Sequence, residues 1–157
     1  MLWLIQKGGH VLNNDFAKEC KIRDCYMKNL KSLRPNEICI SKELPLNSAS
    51  LRVDMQTVDT NNIFRDWEFK IYADYKSLGQ LLTYIAYSKL ENGFSQDVLG
   101  VIAAFSFQPE LEQTIRIWGL PIELVKIPTW MKNAGNLYPC KYFHLPVDYT
   151  LITQGGN

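Results

Sequence analysis

Apolar and polar positions along the chain switch between a helical period and strict alternation, which predicts helices and strands in succession. Apolar residues at helical spacing predict a first helix over residues 15–33, with Asn13 or Asn14 as its N-cap. Alternation of apolar and polar residues then predicts three strands, over residues 37–44, 51–57 and 64–72.

The second half of the chain predicts two further helix and strand pairs. A helix over residues 75–90 carries an apolar stripe of Leu78, Leu82 and Ile85. The nearly unbroken apolar run over residues 98–107 predicts a central strand covered on both faces, and a helix over 109–118 and a strand over 122–127 follow. The predicted order is αβββαβαβ, an α/β fold with a mixed central sheet flanked by helices. Beyond Pro128 we expect irregular structure with one short strand near Tyr142.

Composition places the chain among single-domain globular proteins. Its 157 residues are 46% hydrophobic and 21% charged, which is enough to bury a full core without disulfides or metal, so we expect one domain over residues 1–157. The opening MLWLI is too short for the apolar segment of a signal peptide, and no run approaches the roughly 18 apolar residues of a membrane span. The sequence therefore predicts a cytoplasmic protein without a membrane segment.

The four cysteines do not form a metal-binding pattern. Cys20, Cys25, Cys39 and Cys140 include no C-x-x-C pair and no histidine at zinc-finger spacing. An iron–sulfur cluster needs four convergent thiolates, and some nucleases hold one with one early and three late cysteines, the reverse of the distribution here. We expect reduced, mostly buried thiols.

Two acidic residues are predicted to face each other across a hairpin. The segment Asp59-Thr60-Asn61-Asn62 favours a turn between the second and third strands. Asp54 and Glu68 are each seven residues from Asn61, so an antiparallel pair centred there places their Cβ atoms about 5 Å apart. Alternation puts Lys70 on the same face as Glu68. The opposite face of this strand is apolar and carries Trp67, Phe69 and Ile71.

Paired carboxylates of this kind favour a cation or a proton between them, because like charges directly opposite across a sheet are destabilising. A hard divalent cation such as Mg²⁺ binds one or two carboxylates together with water and phosphate oxygens. Lys70 then lies where it can stabilise an attacking hydroxide or the charge on a phosphate during cleavage. The alternative is a solvated hairpin face whose carboxylates are neutralised by Arg52 and Lys70.

The following helix carries a second polar set. At about 100° per residue, Lys76, Gln80, Tyr84 and Tyr87 fall on one stripe, roughly opposite the apolar stripe. Together, Asp54, Glu68-Phe69-Lys70 and Gln80-Leu81-Leu82-Thr83-Tyr84 resemble the PD-(D/E)xK nuclease superfamily and, in their order, its RecB-type branch with a helical Q-x-x-x-Y motif. The resemblance covers about residues 15–107 and implies a restriction-endonuclease-like αβββαβ core, with the remainder as a C-terminal extension of the same domain.

Carried over residue by residue, the resemblance implies a catalytic set of Asp54, Glu68, Lys70, Gln80 and Tyr84. In this set Asp54, Glu68 and the backbone carbonyl of Phe69 would hold Mg²⁺ or Mn²⁺. Lys70 would position or activate the attacking water. Gln80 and Tyr84 would contact the substrate backbone or orient the catalytic residues.

The N-terminal part of the pattern is less complete. Arg52-Val53 stands where the name of the motif has proline. Many members of the superfamily use a further acid from the first helix as a metal ligand, and Glu19 is the candidate here, with Glu37 and Glu43 in reserve. The segment Gly8-Gly9-His10 resembles the histidine that some RecB-type members carry before that acid, and a surface histidine without a role is the alternative.

The first helix carries the strongest local signal for DNA contact. Residues 18–34 hold six basic and two acidic side chains, a net charge of +4, whereas the whole chain has a net charge of only +1. Such a cluster neutralises phosphates and makes binding salt-dependent. We expect phosphate contacts from Lys21, Lys28, Lys31 and Lys76. A solvated helix face is the alternative.

Three hypotheses follow. The first is a Mg²⁺- or Mn²⁺-dependent nuclease that hydrolyses DNA phosphodiester bonds in repair, recombination, restriction or mobile-element processing. The second is a catalytically silent DNA-binding or recombination-accessory protein with the same fold, and the third is an interaction domain whose polar stripe carries no chemistry. The intact acid and lysine set favours the enzyme, because inactive members of the superfamily usually lose one of these positions. DNA is the expected partner, with a homodimer or a larger nuclease complex left open.

Overall fold

The structure is a computed structural model that describes residues 9–46 and 51–133; for residues 9–17 and Pro45 it describes the backbone alone. In chain order the elements are α1 (Gly9–Lys28), α2 (Leu30–Leu33), β1 (Glu37–Leu46), β2 (Leu51–Asp59), β3 (Phe64–Ala73), α3 (Tyr75–Glu91), β4 (Val98–Phe107), α4 (Glu110–Trp118), β5 (Ile122–Lys126) and a 3₁₀ turn (Thr129–Asn133). This order confirms the predicted succession, with α2 as an addition. The predicted strand near Tyr142 lies outside the described residues. Within them, no helix is long and apolar enough to cross a membrane.

Five strands form one mixed sheet in the order β1-β2-β3-β4-β5. The pairs β1–β2 and β2–β3 are antiparallel, whereas β3–β4 and β4–β5 are parallel. Between β2 and β3 the register runs from Val58 opposite Phe64 to Met55 opposite Trp67. This is the register predicted from a turn centred on Asn61, so Asp54 and Glu68 are the next two positions along the paired strands.

Helices cover both faces of the sheet and enclose two apolar cores. Under α1, the rings of Trp67 and Phe69 lie 5.4 and 5.5 Å from the ring of Tyr26, measured between centroids. The other core lies under α3 and α4 and includes Leu81, Ile85 and Leu111. Residues 100–105 of β4 are all buried, which confirms the predicted central strand. The described cysteines are free thiols, as expected: Cys20, Cys25 and Cys39.

The first helix differs from its prediction at both ends. It begins at Gly9, so the proposed caps Asn13 and Asn14 lie inside it, and it ends at Lys28 rather than continuing to Leu33. At the break, the side-chain amide of Asn29 donates to the backbone carbonyl of Cys25 at 2.8 Å, while its backbone N–H donates to the carbonyl of Tyr26. Asparagine competes in this way with the backbone hydrogen bonds of a helix. The apolar spacing continues across the break, which explains why one helix was predicted.

Helix α3 follows its prediction in extent but not in orientation. It is capped by Asp74, whose carboxylate accepts hydrogen bonds from the backbone N–H groups of Lys76 and Ser77. Its buried residues are Ser77, Leu78, Leu81, Tyr84, Ile85 and Ser88. The prediction that Tyr84 lies opposite the apolar stripe was therefore wrong, and Leu82 is only half-buried. Polar residues could be buried here because Tyr84 and Ser88 have hydrogen-bond partners beneath or beside the helix.

A network of ion pairs joins the end of α2 to strands β1 and β5. The Arg34 guanidinium bonds to Glu37 and, at 2.7 Å, to Glu123, and it lies 5.1 Å from the centroid of the Trp67 ring. Glu37 also accepts a hydrogen bond from the hydroxyl of Thr57 at 2.9 Å. Glu37, one of the two reserve candidates for a metal ligand, is thus engaged in a structural network.

Candidate active site

The candidate site lies where β2 and β3 separate. Beyond Met55 opposite Trp67, the backbone N–H of Phe69 donates to the Asp54 carboxylate at 2.9 Å. Two residues further, the N–H of Ile71 donates to the Glu19 carboxylate of α1 at 3.4 Å. Alternate N–H groups of a strand point to the same side. Where β3 is no longer paired with β2, its backbone N–H groups are therefore bonded by two acidic side chains that come from different elements.

Lys70 lies between two carboxylates of this site. Its Nζ is 3.0 Å from Glu68 Oε1 and 3.8 Å from Glu19 Oε2. The structure thus brings Asp54, Glu68, Lys70 and Glu19 together. Glu68 is only 3% exposed, and Arg52 forms no ion pair with the described acids. The alternative of a solvated face neutralised by Arg52 and Lys70 is therefore wrong for Glu68 in its solvent exposure and in Arg52, whereas the pairing of Glu68 with Lys70 is present.

Burial and neighbouring charges shift the pKa values of Glu68, Asp54 and Lys70. The enclosed setting raises the pKa of Glu68 to about 8, and the neighbouring Asp54 adds to this rise. Asp54 is half-buried as a residue, yet its carboxylate is enclosed, and this burial raises its pKa against the opposing effect of the Phe69 N–H. Burial alone would lower the pKa of Lys70, but the charges of Glu68 and then Glu19 raise it above its ordinary value.

One carboxylate oxygen of the Asp54 and Glu68 pair has no hydrogen-bond partner among the described residues. Glu68 Oε2 is buried and, within the part of the chain that the structure describes, accepts no hydrogen bond. An unpaired buried carboxylate oxygen beside a second carboxylate fits a hard cation, which takes oxygen ligands. In residues 9–46 and 51–133, however, no three His, Cys, Asp or Glu side chains are already arranged as a metal site. The ligand set of Asp54, Glu68, Glu19 and the Phe69 carbonyl therefore remains a prediction.

Helix α3 brings Gln80 and Tyr84 to the same region. The Gln80 side-chain amide donates to the Tyr84 hydroxyl oxygen at 2.6 Å. Tyr84 is 4% exposed, and its pKa is raised to about 12, first by burial and then by the charge of Glu68. Gln80 and Tyr84 are thus a bonded pair whose tyrosine is directed into the protein toward the acids rather than into solvent.

Sequence reasoning missed a cluster of ion pairs beside the site. The buried Arg23 guanidinium contacts Asp24 at 3.0 Å and Glu43 at 3.3 Å. Lys42 contacts Asp24 from β1, also at 3.0 Å. Glu43, the second reserve candidate, is therefore a partner of Arg23. A count of charges along one helix could not reveal these pairs, because two of their members come from β1.

The predicted DNA-contacting surface is correspondingly smaller than the sequence indicated. Of the six basic residues within residues 18–34, Arg23 and Arg34 are held in ion pairs within the protein. Lys28 and Lys31 are exposed and Lys21 is half-buried. Lys76 is exposed in the first turn of α3, one helical turn before Gln80. Of the four predicted lysines, Lys76 is the one that shares a helix with Gln80 and Tyr84, whereas Lys21 and Lys28 share α1 with Glu19.

Solved structures with a similar fold include endonucleases. A repair endonuclease from Pyrococcus abyssi matches with a TM-score of 0.58 and 22% identity, over 70% of this chain and 47% of its own. EndoMS in complex with double-stranded DNA matches with a TM-score of 0.58 and 18% identity, over 72% of this chain and 46% of its own. EndoMS in its apo form matches with a TM-score of 0.52 and 15% identity, over 71% and 47%.

These comparisons establish the fold. The five-stranded mixed sheet flanked by helices is an endonuclease-like fold. The chain spans about half the length of the solved structures that it matches. No protein family and no curated protein matches the chain.

Proposed function

We propose that this chain is a metal-dependent deoxyribonuclease domain of the PD-(D/E)xK superfamily, in its RecB-type branch, which hydrolyses DNA phosphodiester bonds. The observation that carries the proposal is the grouping of Asp54, Glu68 and Lys70 at the point where β2 leaves β3. Glu19 from α1 completes this group. It stands on a fold similar to that of repair endonucleases.

Asp54, Glu68, Glu19 and the backbone carbonyl of Phe69 are the residues that would hold Mg²⁺ or Mn²⁺. Such an ion, when bound, supplies positive charge that polarises a phosphodiester and makes water easier to deprotonate. The unpartnered Glu68 Oε2 and the raised pKa values of Glu68 and Asp54 support this assignment. A cation would relieve the repulsion between the two enclosed carboxylates, which otherwise favours protonation.

Lys70 acts as an ammonium rather than as a base. Glu68 and Glu19 raise its pKa, so at neutral pH it keeps its proton and cannot accept one from water. An ammonium in this position stabilises negative charge on the attacking oxygen or on the phosphate during cleavage. This role is supported by the position of Nζ, 3.0 Å from a carboxylate of the proposed ligand set.

Gln80 and Tyr84 orient the centre rather than transfer protons. With a pKa of about 12, the Tyr84 hydroxyl stays protonated at neutral pH, so that it can donate one hydrogen bond while it accepts another from Gln80. The tyrosine proton is therefore available to a carboxylate or to a phosphate oxygen. The exposed lysines Lys28, Lys31 and Lys76, together with Lys21, are proposed contacts to DNA phosphates.

For the biological setting, we propose a substrate class and a general process. EndoMS is seen in complex with double-stranded DNA, which supports DNA as the substrate class. We propose that the target site is selected within a homodimer or a larger nuclease complex. Repair is the process that the similar endonuclease from Pyrococcus abyssi supports, with recombination, restriction and mobile-element processing as the other settings.

The proposal is tested by incubating the protein with supercoiled, linear and single-stranded DNA in Mg²⁺, Mn²⁺ or EDTA. We expect cleavage in at least one metal, none in EDTA, and none by Glu68→Gln, which keeps the shape of the side chain and loses its charge. The three DNA forms distinguish cleavage from an end from internal cleavage. If the wild-type protein binds DNA but cleaves none of the forms, the accessory function replaces the enzyme. One observation favours that outcome, namely that Glu68 is already paired with Lys70.

A further inference from the structure

We propose that Asp66 and Ser88 are positioning residues of the active site, which fix helix α3 at the height on strand β3 that sets Tyr84 against Glu68. The inference rests on the proposed nuclease function and extends it to residues outside the superfamily motif. It arises from a buried polar contact between β3 and α3 that an apolar core does not need for its stability. Burying such groups is costly unless all of them are hydrogen-bonded.

The contact joins three elements. The Ser88 hydroxyl of α3 donates to Asp66 Oδ2 at 2.5 Å. The Gln56 amide of β2 donates to Asp66 Oδ1 at 2.7 Å. Asp66 is 0% exposed, and Gln56 and Ser88 are buried as well. Both carboxylate oxygens of Asp66 are therefore used, one to hold the neighbouring strand and the other to hold the helix.

Because of the spacing of the residues, this contact sets the position of α3 along β3. Helix α3 returns over the sheet after β3, and four helical residues rise about 6 Å, close to the length of about 6.6 Å for two residues of a strand. Ser88 lies four residues after Tyr84, and Asp66 lies two residues before Glu68. When Ser88 is bonded to Asp66, four residues back along α3 and two residues forward along β3 cover nearly the same distance. Tyr84 therefore lies at the level of Glu68. One further step brings Gln80 to the level of Lys70.

The neighbouring strand leaves room for the helix to come this close. Gly100 of β4 is paired with Asp66 across the sheet. A Cβ atom at Gly100 would lie 2.7 Å from side-chain atoms of both Leu81 and Ile85. The polar contact at Asp66 and the missing side chain at Gly100 thus together allow α3 to pack closely on the sheet, directly beneath the helical turn that carries Tyr84.

The first measurement reads the position of Tyr84 without any need for cleavage. In protein labelled with ¹³C at the tyrosine ζ carbon, the Tyr84 resonance is assigned by its loss in Tyr84→Phe. Ser88→Ala should shift this resonance. Thr83→Ala is the matched control, because it removes from the same helix a hydroxyl that, among the described residues, donates to the backbone carbonyl of Gly79. An unmoved resonance in Ser88→Ala would overturn the positioning role, even if the wild-type protein proved to have no nuclease activity.

The second measurement links position to chemistry through a double-mutant cycle. Ser88→Ala should lower kcat about tenfold, as expected for a small misplacement of an orienting group, while KM and DNA affinity in Ca²⁺ stay within about twofold of the wild type. In the Tyr84→Phe background the same substitution should change kcat by less than about twofold, because the group that Ser88 positions is already lost. An equal loss in both backgrounds would show that Ser88 acts on general stability and would overturn the inference.

Discussion

Lys70 is held by the same acids that are proposed to bind metal. Its Nζ lies 3.0 Å from Glu68 and 3.8 Å from Glu19, and these charges keep it protonated. In the proposed nuclease, a lysine in this setting would have two roles: it would pair with the acids before substrate arrives, and it would stabilise negative charge during cleavage. Only the second role affects the rate of the chemical step.

Lys70→Ala should therefore separate chemistry from binding. We expect cleavage to slow by orders of magnitude, because an interaction made in the transition state is lost, while DNA affinity in Ca²⁺ remains close to the wild-type value. Cleavage rate and affinity are measured on one preparation of each protein. A variant that cleaves normally but binds DNA more weakly would show that Lys70 is only a phosphate contact.

The sequence was sufficient to predict how the site residues are paired but not which partners surround them. The position of Asp54 relative to Glu68 follows from alternation and from a turn at Asn61, both of which are local. The partners of Arg23 lie on the neighbouring residue and on β1. Contacts between distant segments depend on the packing of the whole chain, so the loss of Arg23 from the basic surface could not be predicted.

The raised pKa of Glu68 predicts an unusual dependence of stability on pH. In the absence of metal, the unfolded chain releases this proton near the ordinary pKa of 4.5, whereas the native protein holds it up to about 8. The native state binds more protons between these values, so its free energy of unfolding should fall as pH rises from about 5 to about 8. Urea denaturation in EDTA measures this fall. The Glu68→Gln variant stays neutral and should show a flatter curve; parallel curves would contradict the assigned pKa.

At the scale of elements, the orientation of α3 is the feature that sequence periodicity predicted least well. Its length and position in the chain were predicted correctly, but the buried face includes Tyr84 and Ser88. A hydrophobicity pattern assigns polar residues to the surface unless their partners are known. Here the partner of Ser88 is Asp66, which is 22 residues away along the chain.

The close approach of α3 to β4 can be tested by adding a single methyl group. Gly100→Ala should lower the free energy of unfolding by about 1–3 kcal/mol, since its Cβ would overlap Leu81 and Ile85. Gly79→Ala is the matched control on α3 itself, where nothing lies within 4 Å. That substitution should stabilise the protein by about 0.5–1 kcal/mol. Chemical denaturation measures both values. An unchanged free energy of unfolding in Gly100→Ala would show that α3 does not pack tightly against β4.

At the scale of the whole molecule, charge is distributed in two different ways. The buried Arg23 and the half-buried Arg34 are engaged within the fold, where each pairs with more than one acid. Exposed lysines remain on α1, α2 and α3. The chain also spans about half the length of the structures it resembles. The proposed binding to DNA would involve contacts from a small number of exposed lysines.

Lys76 should contribute one of these contacts, since it lies in the first turn of the helix that carries Gln80 and Tyr84. Lys76→Ala should weaken DNA binding modestly and reduce the slope of log affinity against log salt by about one unit. Lys89→Ala in the last turn of the same helix is the control, and its slope should match that of the wild type. Affinities in Ca²⁺ over a range of salt concentrations provide the test. Equal slopes for all three proteins would remove Lys76 from the DNA interface.

The carboxylates that bond the Phe69 and Ile71 N–H groups also have a consequence for how this protein could evolve. A strand edge with open N–H groups attracts strands of other molecules, and charged side chains are a common protection against such aggregation. Asp54 and Glu19 are therefore expected to protect solubility in addition to their part in the proposed chemistry. A descendant of the proposed nuclease that lost its activity would still be under selection to keep both acids, whereas nothing in the strand edge would require Lys70. Among homologues, replacement of the lysine would consequently be a better marker of lost activity than retention of the acids would be of activity.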